Sequence, residues 1–244
     1  MIIAYKENIA SKNIGEELER RKVSVTWISE PALDVKTLPS AEHYIIVYSH
    51  RSTKGVPSLT VHSTGNFHTA DIGGTPETLQ ECDPIVNAEL LLRLSKNAPP
   101  GYQVTYEATH HGPTGIQAPL CFLELGSNEK EWNDPAGINA LATTIQEYLS
   151  HPKTREWKIA VGIGSTHYPD RFTRRTFNEG IAFGHILPAH AFPHLKKEVM
   201  EQLLTKTKGV TTAIIDTSRQ GVKEEREVIL QVLTEKRIDV VKLK

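Results

Sequence analysis

Apolar positions along the chain alternate between two spacings. Short β-branched or alternating runs predict strands at Met1 to Tyr5, Val23 to Ile28, His43 to Tyr48, Pro57 to His62 and Tyr102 to Thr105. Further runs at Leu120 to Leu125, Trp157 to Ile163, Ile181 to Phe183, Val210 to Ile215 and Ile238 to Leu243 predict five more. Helical spacing appears between them. Ala10, Ile14 and Leu18 share one face of a helix over Asn8 to Lys22. Asp83-Pro84 and Asp134-Pro135 each place an N-cap and a first-turn proline before helices that run to about Lys96 and Leu149. Arg171 to Arg175 opens a short helix, and Pro193 to Thr205 and Val222 to Glu235 add two more. Strands alternating with helices predict an α/β class with a mixed, largely parallel sheet. Residues 66–82 carry few large apolar groups and include Gly73, Gly74 and Pro76, so they read as a long loop of the kind that often carries function. No repeat, low-complexity tract or composition break divides the chain, and residues 1–244 read as a single domain.

Composition narrows the classes. Hydrophobic residues make up 39% and charged residues 23% of 244 positions, as expected of a globular α/β protein. Cys82 and Cys121 supply no disulfide or zinc-finger framework, so a reduced, cytoplasmic setting is expected. The start, Met-Ile-Ile-Ala-Tyr-Lys-Glu, is charged too soon for a signal peptide, and no apolar run reaches membrane-spanning length. Net charge is -1, so any nucleic-acid partner must be held by a local basic patch, and DNA is not expected. Histidine, at 11, is the unusual count.

The histidines recur where strands stop. His50, His62, His110, His111, His167 and His185 all lie at or just beyond predicted strand ends, where ligands of α/β sheets usually bind. At Thr109-His110-His111-Gly112-Pro113-Thr114 the glycine and proline force the chain out of its strand and present two imidazoles. Histidine serves acid–base catalysis near neutral pH and binds zinc through a neutral nitrogen. Glu124, late in its strand, adds a carboxylate. There is no HExxH, CxxC, Gly-x-Ser-x-Gly, Walker or Rossmann signature, so nucleotide-triphosphate chemistry is not expected.

Several stretches resemble the archaeal- and plant-type D-aminoacyl-tRNA deacylases. They are Ser49-His50-Arg51-Ser52, Gly55 to His62 with Gly65-Asn66, Thr109 to Thr114, Glu124-Leu125-Gly126-Ser127 with nearby Trp132, His167-Tyr168, and Gly184-His185-Ile186-Leu187-Pro188. They follow the family order and span roughly residues 45–190. Where the family has a glycine run before His-Tyr and Ala-Pro after it, this chain has Ser165-Thr166 and Pro169-Asp170. The resemblance implies a phosphorylase/hydrolase-like three-layer α/β/α fold and zinc as cofactor. It implies hydrolysis of the ester between a D-amino acid and the terminal ribose of tRNA, including adducts with aldehydes on the amino group.

The residues fit that chemistry. Ester hydrolysis needs an activated water, a polarised carbonyl and a proton for the leaving oxygen, and zinc lowers the pKa of a bound water to about 7. His110, His111 and His167 are the expected metal ligands or base, with Glu124 close by; the residues do not divide these roles. Expected substrate contacts are His50, Arg51, His62, Thr109, Thr114 and His185. Arg171, Arg174 and Arg175, after His167, are expected on tRNA phosphates, as are Arg51 and Lys54. Phosphate contacts orient without reading sequence, which suits an enzyme acting on the acceptor ends of many tRNAs. Two alternatives stay open: a zinc amidohydrolase or peptidase on a small substrate, and a non-catalytic RNA-binding module. A monomer or small homo-oligomer is expected.

Overall fold

The computed structural model describes residues 1–218 and 226–243. A six-stranded mixed sheet has the order β2 (Val25–Ile28), β1 (Ile2–Tyr5), β3 (Tyr44–Ser49), β8 (Leu120–Gly126), β4 (Ser58–Ser63), β7 (Gln103–Tyr106). Its one antiparallel pairing joins β4 to β8. A second, wholly parallel sheet has the order β10 (Ile181–Pro188), β9 (Lys158–Ser165), β11 (Thr212–Asp216), β12 (Asp239–Leu243). A short ribbon pairs β5 (Gly65–Asn66) with β6 (Thr78–Leu79) inside the predicted long loop. The class is as expected from the alternation. The single expected sheet is two, which meet along β10 and the β4–β7 edge. There the ladder gives way to stitches such as Thr109 N–H to the Ile186 carbonyl and Ala108 N–H to the His167 carbonyl, both 2.9 Å.

The two Asp-Pro caps behave as the sequence predicts, and Asn8 adds a third. Asn8, Asp83 and Asp134 each accept a backbone N–H at the start of α1 (Ile9–Arg20), α2 (Pro84–Asn97) and α4 (Pro135–Ser150). A short helix, α3 (Glu129–Trp132), was not anticipated; Asn128 and Glu131 form a capping box at its start. α5 (Asp170–Glu179) follows β9, and a 3-10 turn (Ala189–His194) precedes α6 (Lys197–Thr205). α7 (Arg226–Glu235) covers the later part of the helix expected from Val222; residues 222–225 lie outside the described residues.

Period-two alternation sets the layers. Ile45, Val47, Leu59, Val61, Leu123 and Leu125 turn one face of the mixed sheet onto Ile14 and Leu18 of α1, Leu90 and Leu91 of α2 and Leu141 of α4. Each such side chain contributes about 1.5–3 kcal/mol on burial. Phe122, Ile46 and Leu120 face the other way, against Ala32, Val35 and Ile116 from irregular segments. The parallel sheet has helices on both faces, with α6 and α7 on one and α2 and α5 on the other. β10 runs five residues past its predicted end, which places His185 inside a strand.

Candidate active site

The site grows from the polar half of an alternating pattern. Alternating with Leu59 and Val61 of β4 are Ser58, Thr60 and His62, on the face away from the helices. Thr105 and Glu107 take the same face at β7, and Glu124 takes it on β8, with Thr60 opposite. His50 arrives from the end of β3, His110 and His111 from the turn after β7, and His167 from the loop after β9. β3 and β4 run in opposite directions, so the histidines do not share one end of a sheet. They converge because they reach toward Glu107 and Glu124 from several sides.

Three donor sets have their ligand atoms within 4.8 Å of one another: His62, His110 and His111; His50, Glu107 and His167; and His62, Glu107 and Glu124. In the first set each Nδ1 faces a backbone carbonyl, Ser63 at 3.2 Å, Ala108 at 2.8 Å and Gly112 at 2.6 Å respectively. A carbonyl only accepts, so Nδ1 carries the proton and Nε2 of each neutral ring is left as a lone pair. Those Nε2 atoms are inward: His62 and His111 lie 3.4 and 3.7 Å from Glu124 Oε1. In the second set Glu107 Oε1 accepts from Thr60 Oγ1 and from His50 Nδ1 at 3.0 Å. Its Oε2 is buried and accepts no hydrogen bond, although His167 Nε2 is 2.8 Å away and His110 Nε2 3.6 Å. A nitrogen and a carboxylate oxygen that close can both face one cation.

Charge asks for the same thing. Burial alone raises both carboxyls, but contacts with His167 and His50 hold Glu107 well below the usual carboxylate range. Against the same burial, His111, His50 and His62 hold Glu124 down. Burial opposes charge on His50, yet its bonds to Glu107 and Glu124 raise it to about 11. His62 is raised in the same way, against its burial, chiefly by Glu124. Burial and the neighbouring His111 and His62 push His110 well below an ordinary histidine, so its Nε2 is a free lone pair. Glu107 and Glu124 draw protons onto His50 and His62, and a divalent cation in the cluster would supply the positive charge that these carboxylates call for.

The structure sorts the expected residues. His110, His111, His167 and Glu124 fall in one cluster, with His110 and His167 rings 4.8 Å apart. His50 and His62, expected on substrate, are instead buried members of the cluster, 4% and 1% exposed. Arg51 is exposed beside it. His185 is corrected: it is fully buried in β10, donating from Nε2 to the Gln80 carbonyl at 2.8 Å, with Nδ1 against Thr109 Oγ1 at 3.1 Å. Thr109 Oγ1 also accepts from Ile186 N, and Thr114 Oγ1 from Thr75 N. These hydroxyls hold loops together, and we leave Thr114 and His185 out of the substrate contacts, while Thr109 also lines the cleft beside His110 and His111. Arg171 pairs with Asp216 at 2.6 Å and Arg175 with Glu179 at 2.6 Å, which ties both to the protein; Arg174 is exposed.

Sequence reasoning missed Glu107 and Tyr168. Glu107 had a signal, since Thr105, Glu107 and Thr109 repeat the period-two polar register of Ser58, Thr60 and His62. Tyr168, whose hydroxyl is 2.6 Å from His50 Nε2 across 118 residues of sequence, had none beyond the motif itself.

His185 carries a pH signature. Burial lowers it from 6.5 to about 4. Between those values the unfolded chain binds a proton that the folded chain refuses, so stability falls as pH drops from about 6.5 to 4. Roughly 3 kcal/mol is at stake over that window. Melting temperature against pH is expected to be flatter for His185→Gln than for the unmodified protein; equal slopes overturn the assignment.

Comparison with known proteins then decides the family. The D-aminoacyl-tRNA deacylase family model matches residues 37–241. The chain belongs to the D-aminoacyl-tRNA deacylase family. The D-aminoacyl-tRNA deacylase of Methanospirillum hungatei is 42% identical over 240 residues, covering 93% of this chain and 54% of that protein. The chain thus spans about half the length of that relative. Those of Staphylothermus marinus and Methanocaldococcus jannaschii are 38% and 34% identical, covering 82% and 88% of this chain and 74% and 89% of theirs. The crystal structure of a conserved protein of unknown function superposes with a TM-score of 0.86 at 24% identity, over 99% of this chain and 94% of that one, which supports the fold. Among the described residues no helix of this family member is long and apolar enough to cross a membrane.

Proposed function

We propose that this chain hydrolyses the ester of D-aminoacyl-tRNA, releasing the D-amino acid and tRNA, including tRNA whose aminoacyl amine carries an aldehyde adduct. One observation carries the chemistry: two buried, ionised carboxylates set among inward-facing histidine nitrogens. Family membership supplies the substrate and disfavours both a small-substrate amidohydrolase and a purely RNA-binding module. A tRNA substrate supports a cytoplasmic setting for the activity. Donors come from both sheets, and we read residues 1–244 as one catalytic unit.

We assign zinc to the donor set of His62, His110 and His111, binding through Nε2, with Glu107 and His167 beside it. Bound there, zinc would lower the pKa of a water to about 7 and polarise the ester carbonyl. The protein's own groups do the rest. Glu124 and Glu107 hold the histidines in place and keep negative charge on the cluster. His110 and His167 are the members a substrate can meet, their side chains 29% and 42% exposed. His50, held protonated by the carboxylates, faces the Tyr168 hydroxyl at 2.6 Å. Tyr168 can pass that proton to the leaving ribose oxygen, a role worth about 10²-fold or more.

Handedness rests on the family. The two enantiomers carry the same groups, so rejecting the L form requires a clash or an unpaired polar group. Release from D-tyrosyl-tRNA is expected to exceed release from L-tyrosyl-tRNA by at least about 100-fold, the equivalent of roughly 2.7 kcal/mol. Comparable rates would remove the proofreading reading while leaving the esterase chemistry.

A further inference from the structure

Two clefts flank the histidine cluster, and they differ in charge. We propose that they divide the substrate: the cleft at Arg51 takes the 3′-terminal nucleotide of tRNA, and the cleft beneath residues 65–72 takes the amino acid. The division rests on the deacylase reading above.

The first cleft, of about 750 Å³, is lined by Arg51, Lys54, Ser58, Gln103, His167 and Tyr168, with Asp170 also on its wall. Its two cations are held over aromatic faces: Arg51 lies 5.0 Å from the Trp132 ring and Lys54 6.0 Å from Tyr168. Trp132 is itself fixed, donating from Nε1 to the His50 carbonyl at 3.0 Å. Cations beside hydroxyls are what a phosphate requires, and the Arg51 guanidinium, backed by Trp132, offers a plane on which a base can stack. The second cleft, of about 440 Å³, has no lysine or arginine among its lining residues. Phe67, Ile72, Pro188 and Ala191 give it an apolar wall, and Asp71 gives it a negative charge. His68, His190 and His194 complete the lining, and with no permanent cation on the wall the cleft suits a side chain with an α-ammonium group near Asp71 better than it suits a phosphate. The larger space also matches the larger half of the substrate.

The clefts meet where the ester must lie. His167 lines the first, and His110 and His111 line the second. Glu107 Oε2 sits under the divide, 2.8 Å from His167 Nε2 and 3.6 Å from His110 Nε2. An ester carbon has the ribose oxygen on one side and the α-carbon on the other, so a substrate laid across the divide sends its two halves into different clefts. Tyr168, on the first cleft, then stands on the side of the leaving oxygen.

Three measurements test this. The Arg51→Ala/Lys54→Ala double variant should lose at least tenfold more kcat/KM on D-tyrosyl-tRNA and D-alanyl-tRNA than on D-tyrosine methyl ester, and by the same factor on both tRNAs. Ile72→Trp, which narrows the second cleft, should lose at least tenfold more on D-tyrosyl-tRNA than on D-alanyl-tRNA. Adenosine 5′-monophosphate, titrated directly, should bind at least fivefold more weakly to the double variant and within twofold of normal to Ile72→Trp. The reverse pattern, with the double variant altering the tyrosine-to-alanine ratio and Ile72→Trp weakening nucleotide binding, overturns the division. An unmodified protein inactive on every charged tRNA removes the deacylase reading instead; nucleotide binding needs no turnover, and if the double variant leaves it unchanged the nucleotide cleft falls as well.

Discussion

Removing divalent metal with a chelator is expected to cut single-turnover release of D-amino acid from tRNA by at least about 10³-fold, and zinc is expected to restore it. The fold should survive, because the two largest hydrophobic clusters are built from apolar side chains independent of the site. Single variants separate the roles. His62→Ala, His111→Ala and Glu107→Ala should each lower metal content along with rate, since each removes a donor from a set of three. Glu107→Gln is the sharpest of these: it keeps shape and the contact with Thr60 but takes away charge and one lone-pair oxygen. It should lose metal while its melting temperature changes little. Tyr168→Phe should behave differently, keeping full metal content and losing about 10²-fold in rate. Metal analysis beside single-turnover kinetics reads both. If the Glu107 and histidine variants retain metal and normal rates, the cluster is not the active centre.

Gly112→Ala is expected to abolish more than about 99% of activity, equivalent to roughly 2.7 kcal/mol of transition-state stabilisation. A methyl group there would collide with the Leu33 carbonyl oxygen and the Gly74 amide nitrogen, and would lie 2.7 Å from the Gly73 carbonyl carbon. All three are backbone atoms, so no rotamer change relieves the contact. The neighbouring bonds, Gly112 N to the Ile72 carbonyl and Gly65 N to the His111 carbonyl, lace this turn to residues 65–74. His111 already stands at φ 45°, a conformation that non-glycine residues rarely adopt and that only firm surroundings maintain. Moving the turn therefore moves the Nε2 atoms of His110 and His111. Overpacking of this kind costs about 1–3 kcal/mol in stability as well. Gly101→Ala is the control, because its methyl meets nothing within 4 Å although φ is +89°. Melting curves and deacylation rates for the two variants make the comparison; a fully active, normally stable Gly112→Ala protein overturns the argument.

What the sequence determined by itself was local. Asp83-Pro84 and Asp134-Pro135 start helices wherever such a pair precedes an amphipathic run, because the cap and the proline act on their own turn. Alternation in Leu59, Thr60, Val61 and His62 already separates a helix-covered face from a polar one. The histidines at Ser49-His50, His110-His111 and His167-Tyr168 were legible as chemistry because turn residues break each strand beside them. Tertiary structure decided which of these residues meet. His185 looked like the others until β10 continued past it and spent both its nitrogens on Gln80 and Thr109. Arg171 and Arg175 were expected on tRNA phosphates, and only the folded chain shows that Asp216 and Glu179 already pair with them. Glu107 became central only once β7 lay beside β4, bringing it against Thr60 and His50. Hydrophobic period and capping are properties of neighbours in sequence, whereas a buried charge takes its meaning from partners that long-range packing brings to it, such as Tyr168 to His50 across 118 residues.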